Sequence, residues 1–329
     1  MTDPYIICGD PHVTVEELPD ARELLRLITE LVSAARYAGV IFLGDLHHNH
    51  ASVRVEVMEF WRRAFLDLKS RQLEVWALVG NHDMPADANS TAHALQAYAD
   101  LINVVDEPKW LRPGVIMMPY YHSAEEALGT LVEYGGAETA ICHQEFNGAR
   151  YENGFYAPGG VDPKEIPQGQ VISGHVHGEQ EFGKVWYPGS PRWRISTDAN
   201  IYKALYAVWF DENGNLTDRN AFGTETHCRK LVHVVAEEGK DILMHDILGP
   251  ANIRIDLHGS QAWVDAQREI WGRNPHVTTR GFPTRKDQPE VRESQGVSAA
   301  LATHVRRWQS KNGTPPEVLQ KLVAERVRI

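Results

Sequence analysis

Five short apolar runs in this chain each end in a cluster of histidine, aspartate or asparagine. That repetition constrains the fold more than any other feature. The clusters are Gly9-Asp10-Pro11-His12, Gly44-Asp45-Leu46-His47-His48, Gly80-Asn81-His82-Asp83, Cys142-His143-Gln144 and Gly174-His175-Val176-His177. The runs before them (YIIC, VIFL, VWALV, TAI, QVIS) are mostly continuous in apolar residues rather than alternating, the pattern of a strand covered on both faces. In four of the five a glycine immediately precedes the cluster, which suits a backbone that turns sharply or approaches a ligand closely. One GNHD is an ordinary turn sequence, because Asn and Asp bond nearby backbone. Five such clusters at five strand ends ask for a shared purpose.

Helical periodicity separates the early strands. Leu24, Leu27, Ile28, Leu31, Val32 and Ala35 recur at helical spacing over 20–37, with Asp20 as the expected N-cap and Gly39 as the stop. Residues 52–70 read as a second amphipathic helix, and the segment after Ser90 as a third, with Leu95, Tyr98 and Ile102 on one face. Further strands are expected at 114–120, 139–145, 170–177, 184–190 and 202–210. Parallel βαβ units followed by a strand-rich half imply stacked sheets with helices outside, an α/β class. Ligands in such folds bind beyond the carboxyl ends of the strands, where the polar clusters fall.

The composition changes after Phe222. Residues 1–222 form the expected main domain and 223–283 a small second one, with strand ANIRIDLHGS, helix SQAWVDAQREIW and strand HVTTRGF. Residues 284–296, polar and containing Pro and Gly, read as a linker. The tail 297–329 carries two helical patterns, with six Lys or Arg against two Glu. It reads equally as a partner-binding arm or as a segment folded back on its own domain.

The 329-residue chain has no run near 18 apolar residues, so no membrane span is expected. Its start, MTDPYIICGD, lacks a signal-type pattern, and a cytoplasmic location is expected. Cys8, Cys142 and Cys228 show no CxxC spacing and read as core residues. The net charge of −11 disfavours general nucleic-acid binding, which draws on Lys and Arg. An acidic site can still recruit divalent cations that then face phosphate.

The donors Asp10, His12, Asp45, Asn81, His143, His175 and His177 mix carboxylate, amide oxygen and imidazole. In Asp10-x-His12 and His175-x-His177 the spacing of two puts both side chains on one face of an extended segment. Seven donors exceed one tetrahedral site and suit two metals bridged by a carboxylate, Asp45, roughly 3.5–4 Å apart. Imidazole suits zinc, iron, nickel or copper, while carboxylate and amide oxygens suit manganese and magnesium. Such a pair supplies hydroxide near neutral pH for in-line attack at phosphorus. The leaving oxygen then needs a proton. His82 is the expected donor, with Asp83 expected to hold its ring. One of His47, His48 and His50 is expected to face the phosphate. Arg192, Trp193 and Arg194 read equally as substrate contacts or as a solvated loop.

The ordered set D-x-H, GD, GNHD, H and GHxH resembles the calcineurin-like metallophosphoesterase superfamily over about residues 5–190. The resemblance implies a four-layer α/β/β/α sandwich, with a small C-terminal α+β capping domain and terminal helices. It implies one metal on Asp10, His12, Asp45 and His177, and another on Asp45, Asn81, His143 and His175. It makes His82 and Asp83 the catalytic pair. Within the superfamily the chain is most similar to SbcD-type nucleases. GDLHHN resembles their GDLFHEN, which makes His48 the counterpart of their second active-site histidine. The similarity implies a manganese-dependent exo- and endonuclease subunit in DNA repair and recombination, a homodimer, with DNA as substrate and an SbcC-type ABC ATPase as partner. A stand-alone phosphodiesterase or phosphatase on small nucleotides or phosphoproteins, or a non-catalytic metal-binding scaffold, are the alternatives.

Overall fold

The computed structural model describes residues 3–50, 52–87, 90–151, 154–157, 159–240 and 251–283. The expected linker 284–296 and helical tail 297–329 lie outside them. In chain order the elements are β1 (Tyr5–Cys8), α1 (Leu18–Ala34), β2 (Gly39–Phe42), α2 (Val55–Ser70), β3 (Glu74–Leu78), β4 (Asn103–Val105), β5 (Lys109–Arg112), β6 (Val115–Met117), α3 (Ala124–Glu133) and β7 (Thr139–His143). There follow β8 (Gln170–Gly174), β9 (Gln180–Phe182), β10 (Val185–Tyr187), β11 (Ala204–Phe210), β12 (Leu216–Gly223), β13 (Lys230–Glu237), β14 (Ala251–Gly259), α4 (Gln261–Trp271) and β15 (Val277–Pro283).

Two six-stranded sheets carry the main body, ordered β12-β11-β1-β2-β3-β4 and β5-β6-β7-β8-β10-β9. β1 to β4 pair parallel in the first sheet, as do β6, β7, β8 and β10 in the second. Alternate residues of one strand serve two cores, which explains why the runs are apolar throughout. Ile7, Ile41 and Leu43 point into the layer between the sheets, where they meet Met117, Ile141 and Ile172. Ile6, Cys8, Val40 and Phe42 point outward under α1 and α2, against Leu24, Ile28, Trp61 and Phe65. On the far side Ala140, Cys142 and Val171 pack beneath Ala127 and Leu131 of α3. The layers therefore run helix, sheet, sheet, helix, the sandwich expected. All three cysteines are free and buried.

The differences are local. α1 starts at Leu18, with Glu17 rather than Asp20 at its cap and Pro19 in the first turn, where a missing N–H costs nothing. After Ser90 the chain forms only a short 3-10 turn at Ala94–Tyr98. Leu95 and Tyr98 are buried there, but too few residues follow to propagate an α-helix.

Residues 230–283 build a third sheet, β13-β14-β15, parallel throughout. α4, capped by the Ser260 hydroxyl, makes the β14–β15 crossover and covers a small core of Ala236, Ile255, Leu257, Val264 and Val277. Asn200 joins this sheet to the main body through bonds with the Leu231 and His233 backbone. Among the described residues no helix is long and apolar enough to cross a membrane.

Candidate metal centre

Parallel pairing aligns the strand ends, so the loops after β1, β2, β3, β7 and β8 meet at one edge of the sandwich. They are tied together by backbone: His12 N–H donates to the Asp45 carbonyl at 2.8 Å and Val13 N–H to Leu46 at 2.9 Å. Three site residues take left-handed backbone, His12 (φ +44°), Asp45 (φ +51°) and His175 (φ +84°). Each costs about 1–3 kcal/mol and persists only where its surroundings over-determine it. Two glycines make room. A Cβ on Gly80 would stand 2.2 Å from Asp45 Oδ1, and one on Gly44 (φ +108°) 2.5 Å from His143 Nδ1.

All seven expected donors converge. Asp45 is held at Oδ1 by the His82 backbone N–H at 2.8 Å. Its other oxygen, Oδ2, lies 3.3 Å from His12 Nε2 and 3.4 Å from His143 Nε2. On one side, His12 Nε2 and His177 Nε2 face each other at 3.0 Å. On the other, Asn81 Oδ1 sits 3.0 Å from both His143 Nε2 and His175 Nδ1. Asp10 Oδ1 accepts the His175 N–H at 2.7 Å, while its Oδ2 is buried without a hydrogen-bond partner among the described residues. His143 Nδ1–H donates to the Leu43 carbonyl at 2.7 Å, which turns Nε2 towards Asn81 and Asp45.

Electrostatics fit a cation site. Burial drives the Asp10 carboxyl up to about 7, with Asp45 adding to the rise and His143 opposing it. Burial works against Asp45 too, but the His143 and His12 rings hold it well below the carboxylate range. Burial pulls His175 down to about 3 and His177 to about 4, and holds His12 far below its ordinary value. Burial opposes charge on His143 as well, but the Asp45 and Asp10 carboxylates outweigh it and raise that ring to about 9. Three neutral imidazoles and a fourth held by two buried carboxylates form a nitrogen–oxygen donor set that matches divalent cations once His143 gives up its proton. Asp10, Asp45 and His143 offer ligand atoms within 4.8 Å of one another, and Asp45 Oδ2 lies against both His12 and His143, so residues of this cluster could hold divalent ions.

The expected catalytic residues divide differently. His82 Nδ1–H donates to the His48 carbonyl at 2.5 Å, and its ring stacks on His48 (5.4 Å, 10°) and lies against His50 (3.9 Å). Ring nitrogens of His12, His48 and His82 fall within 4.8 Å of one another, so His48 and His82 flank the His12 side of the centre. Asp83 does not hold the His82 ring, contrary to expectation. Its carboxylate takes His47 Nδ1 at 2.8 Å and the backbone N–H groups of Leu46, His47 and Gly80. The 3-10 turn at Asn81–Asp83 sends neighbouring side chains in different directions. Asp83 goes beneath the loop while His82 stays on top.

Two contributors escape sequence reasoning. Tyr120, three residues after β6, stacks on His175 (5.9 Å, 23°); its only signal is that β6 ends at the same edge. His47 is buried under the loop, with Nε2 at 3.1 Å from the Tyr98 hydroxyl, and only an alternative among three histidines pointed to it.

With this geometry in hand, comparison with known proteins defines the class. The family model for calcineurin-like phosphoesterases matches residues 4–179, and the chain belongs to that family, whose members bind divalent metals. It is similar to phosphoesterase 078R of Invertebrate iridescent virus 3, 25% identical over 198 residues, covering 56% of this chain and 56% of that protein. It is also similar to exonuclease subunit 1 of Enterobacteria phage T4, 26% identical over 195 residues, with 56% of each covered. The chain thus spans little more than half the length of these relatives. A solved structure, TT1561 of Thermus thermophilus, aligns with TM-score 0.40 and 14% identity over 67% of this chain and 99% of that one.

Proposed function

We propose that this chain is a two-metal phosphodiesterase that hydrolyses DNA, working as the nuclease subunit of an SbcCD-type end-processing complex. The observation that carries the two-metal reading is Asp45 Oδ2, within 3.4 Å of donors from both groups. Two bound cations supply charge neutralisation at phosphorus and a water acidic enough to attack near neutral pH. The chain's own residues do the rest. Asp45, fixed by the His82 N–H, orients the two donor groups relative to each other. His82, with Nδ1 committed to the His48 carbonyl, turns Nε2 outward as the group that protonates the leaving oxygen. His48, stacked on His82, faces the same phosphate. Asp83 acts at one remove, through His47 and the loop that carries Asp45.

DNA as substrate draws support from the GDLHHN stretch and from the similarity to a phage exonuclease subunit. The parallel sheet over 230–283 would be the capping domain, and residues 297–329 the arm that meets an ABC-type ATPase. The discriminating experiment offers purified protein, manganese and a panel of DNA ends beside bis-p-nitrophenyl phosphate. Salt-sensitive cleavage of DNA supports the nuclease; turnover of small diesters alone supports a stand-alone phosphodiesterase. Deleting 297–329 should weaken ATPase binding and leave small-diester hydrolysis intact, and unchanged ATPase binding would remove the arm.

A further inference from the structure

His177 lies three residues beyond the end of β8, yet its Nε2 stands opposite His12 Nε2 at 3.0 Å. The His143 ring is oriented by the bond from its Nδ1 to the Leu43 carbonyl. Among the described residues His177 Nδ1 makes no such bond, so the direction of its ring rests largely on its backbone. That backbone is gripped from the loop after β10. Ser190 N–H and Lys203 Nζ both donate to the His177 carbonyl, at 3.0 and 2.9 Å. Gly189, at φ +76°, lets this loop press so close that a Cβ there would stand 2.6 Å from the same carbonyl oxygen.

Lys203 is 1% exposed. An ammonium carries three N–H donors and no acceptor, and all three are engaged: by the His177 carbonyl, by Ser190 Oγ at 3.0 Å and by Asp198 Oδ1 at 2.7 Å. Asp198 is buried, and its other oxygen accepts the Arg194 and Ile195 N–H groups. The Lys203 carbonyl accepts the Thr224 N–H and hydroxyl at 3.0 and 3.1 Å, so the backbone that carries the ammonium is itself held. Two charges taken out of water are often no more stable than a well-packed apolar pair. An ion pair kept behind a donor loop therefore points to a task other than stability.

We propose that Lys203 is a positioning residue for His177: its ammonium, braced by Asp198, locks the His177 carbonyl and with it the ring that faces His12. Asn81 and His143 are carried by other elements, the turn after β3 and the end of β7, so the latch acts on the His12–His177 side of the centre. The proposal rests on the two-metal reading of the site, and its test separates the two.

Manganese is titrated calorimetrically into the metal-free full chain. Lys203→Met alone would leave Asp198 buried and unpaired, so the variant is Lys203→Met/Asp198→Asn, with Asp198→Asn as its control. The control keeps a nitrogen donor on the His177 carbonyl and should bind two manganese ions with parental affinity, whatever it loses in unfolding temperature. The double variant should bind one ion as the parent does and the other about tenfold or more weakly, the scale for a lost outer partner of a metal ligand. In its metal-free crystals the His177 ring should leave the position 3.0 Å from His12 that the control retains. Should the double variant fold poorly, Lys203→Gln/Asp198→Asn, whose amide nitrogen stands one bond short of the ammonium, should show the same selective weakening. Parental affinity for both ions would overturn the proposal, because His177 is then held without Lys203. A weakening of both ions in step with the unfolding temperature would overturn it too, leaving Lys203 a structural role alone. If the parent itself binds fewer than two ions, the two-metal reading fails, and the His12–His177 separation in metal-free crystals still judges Lys203.

Discussion

The Asp83 carboxylate bonds to the His47 ring at 2.8 Å, and not to the ring of His82 beside it in sequence. One loop of the centre is thereby braced from below by an acid whose neighbour lies above, against His48. The two residues should fail in different ways when replaced.

Asp83→Asn exchanges a buried carboxylate that accepts four donors for an amide that must turn a donor towards one of them. Breaking one side of such a buried network costs on the order of 3 kcal/mol. Denaturant unfolding should show that loss, with metal content and activity falling together because the loop carrying Asp45 loosens. A variant as stable as the parent but inactive would return Asp83 to a direct chemical role.

His82→Ala removes no buried bracing. Manganese content by mass spectrometry should stay near the parental value, while diester hydrolysis falls by about 10²–10⁴-fold, the range for a lost general acid. The deficit should shrink on a substrate whose leaving group needs no proton, such as a p-nitrophenyl ester against an alkyl one. Loss of metal on this substitution would mean that His82 is a ligand.

The strand signals were legible because each strand is covered twice, so sequence runs such as YIIC and VIFL stand out against helices of mixed pattern. The candidate donors were legible for the same reason: parallel strands end at one edge, and Asp10, Asp45, Asn81, His143 and His175 lie at or just after those ends. What stayed hidden depends on side-chain direction. Asp83 and His82 are adjacent, and only the 3-10 turn decides that one goes under the loop. The edge strands β4, β5, β9 and β12 are short or half exposed, so their pattern is weak. Arg194 pairs with Glu17, 177 residues earlier, a contact no local pattern announces.

Gly80→Ala tests the close packing around Asp45. Backbone at Gly80 is extended, φ −91° and ψ 171°, so alanine meets no conformational penalty. Its Cβ would meet Asp45 Oδ1 at 2.2 Å and the Asp45 backbone nitrogen at 2.4 Å, so the loop carrying Asp45 must move with its carboxylate. Manganese affinity should drop by roughly tenfold or more, the scale seen when a ligand's orientation is disturbed, with little change in far-UV circular dichroism. Parental affinity would show that Asp45 tolerates displacement.

Asp198 gives a pH prediction. Burial opposes its ionisation, but the Lys203 ammonium and the backbone N–H donors outweigh burial and hold its pKa below 3.8. A carboxyl depressed on folding stabilises the folded state above its unfolded pKa, and that stability is lost as pH falls through the folded value. Acid unfolding of the parent should therefore steepen below about pH 4, while Asp198→Asn should be less stable at pH 7 and show a shallower acid limb. Parallel curves for the two proteins would remove Asp198 from the acid response.

The central claim is that two divalent ions share Asp45. Anomalous diffraction at the manganese edge, on crystals grown with excess manganese, tests it most directly. The account predicts two peaks flanking Asp45 Oδ2, roughly 3.5–4 Å apart, one beside His12 and His177 and the other beside Asn81, His143 and His175. A single peak away from Asp45, or none among these side chains, would contradict it.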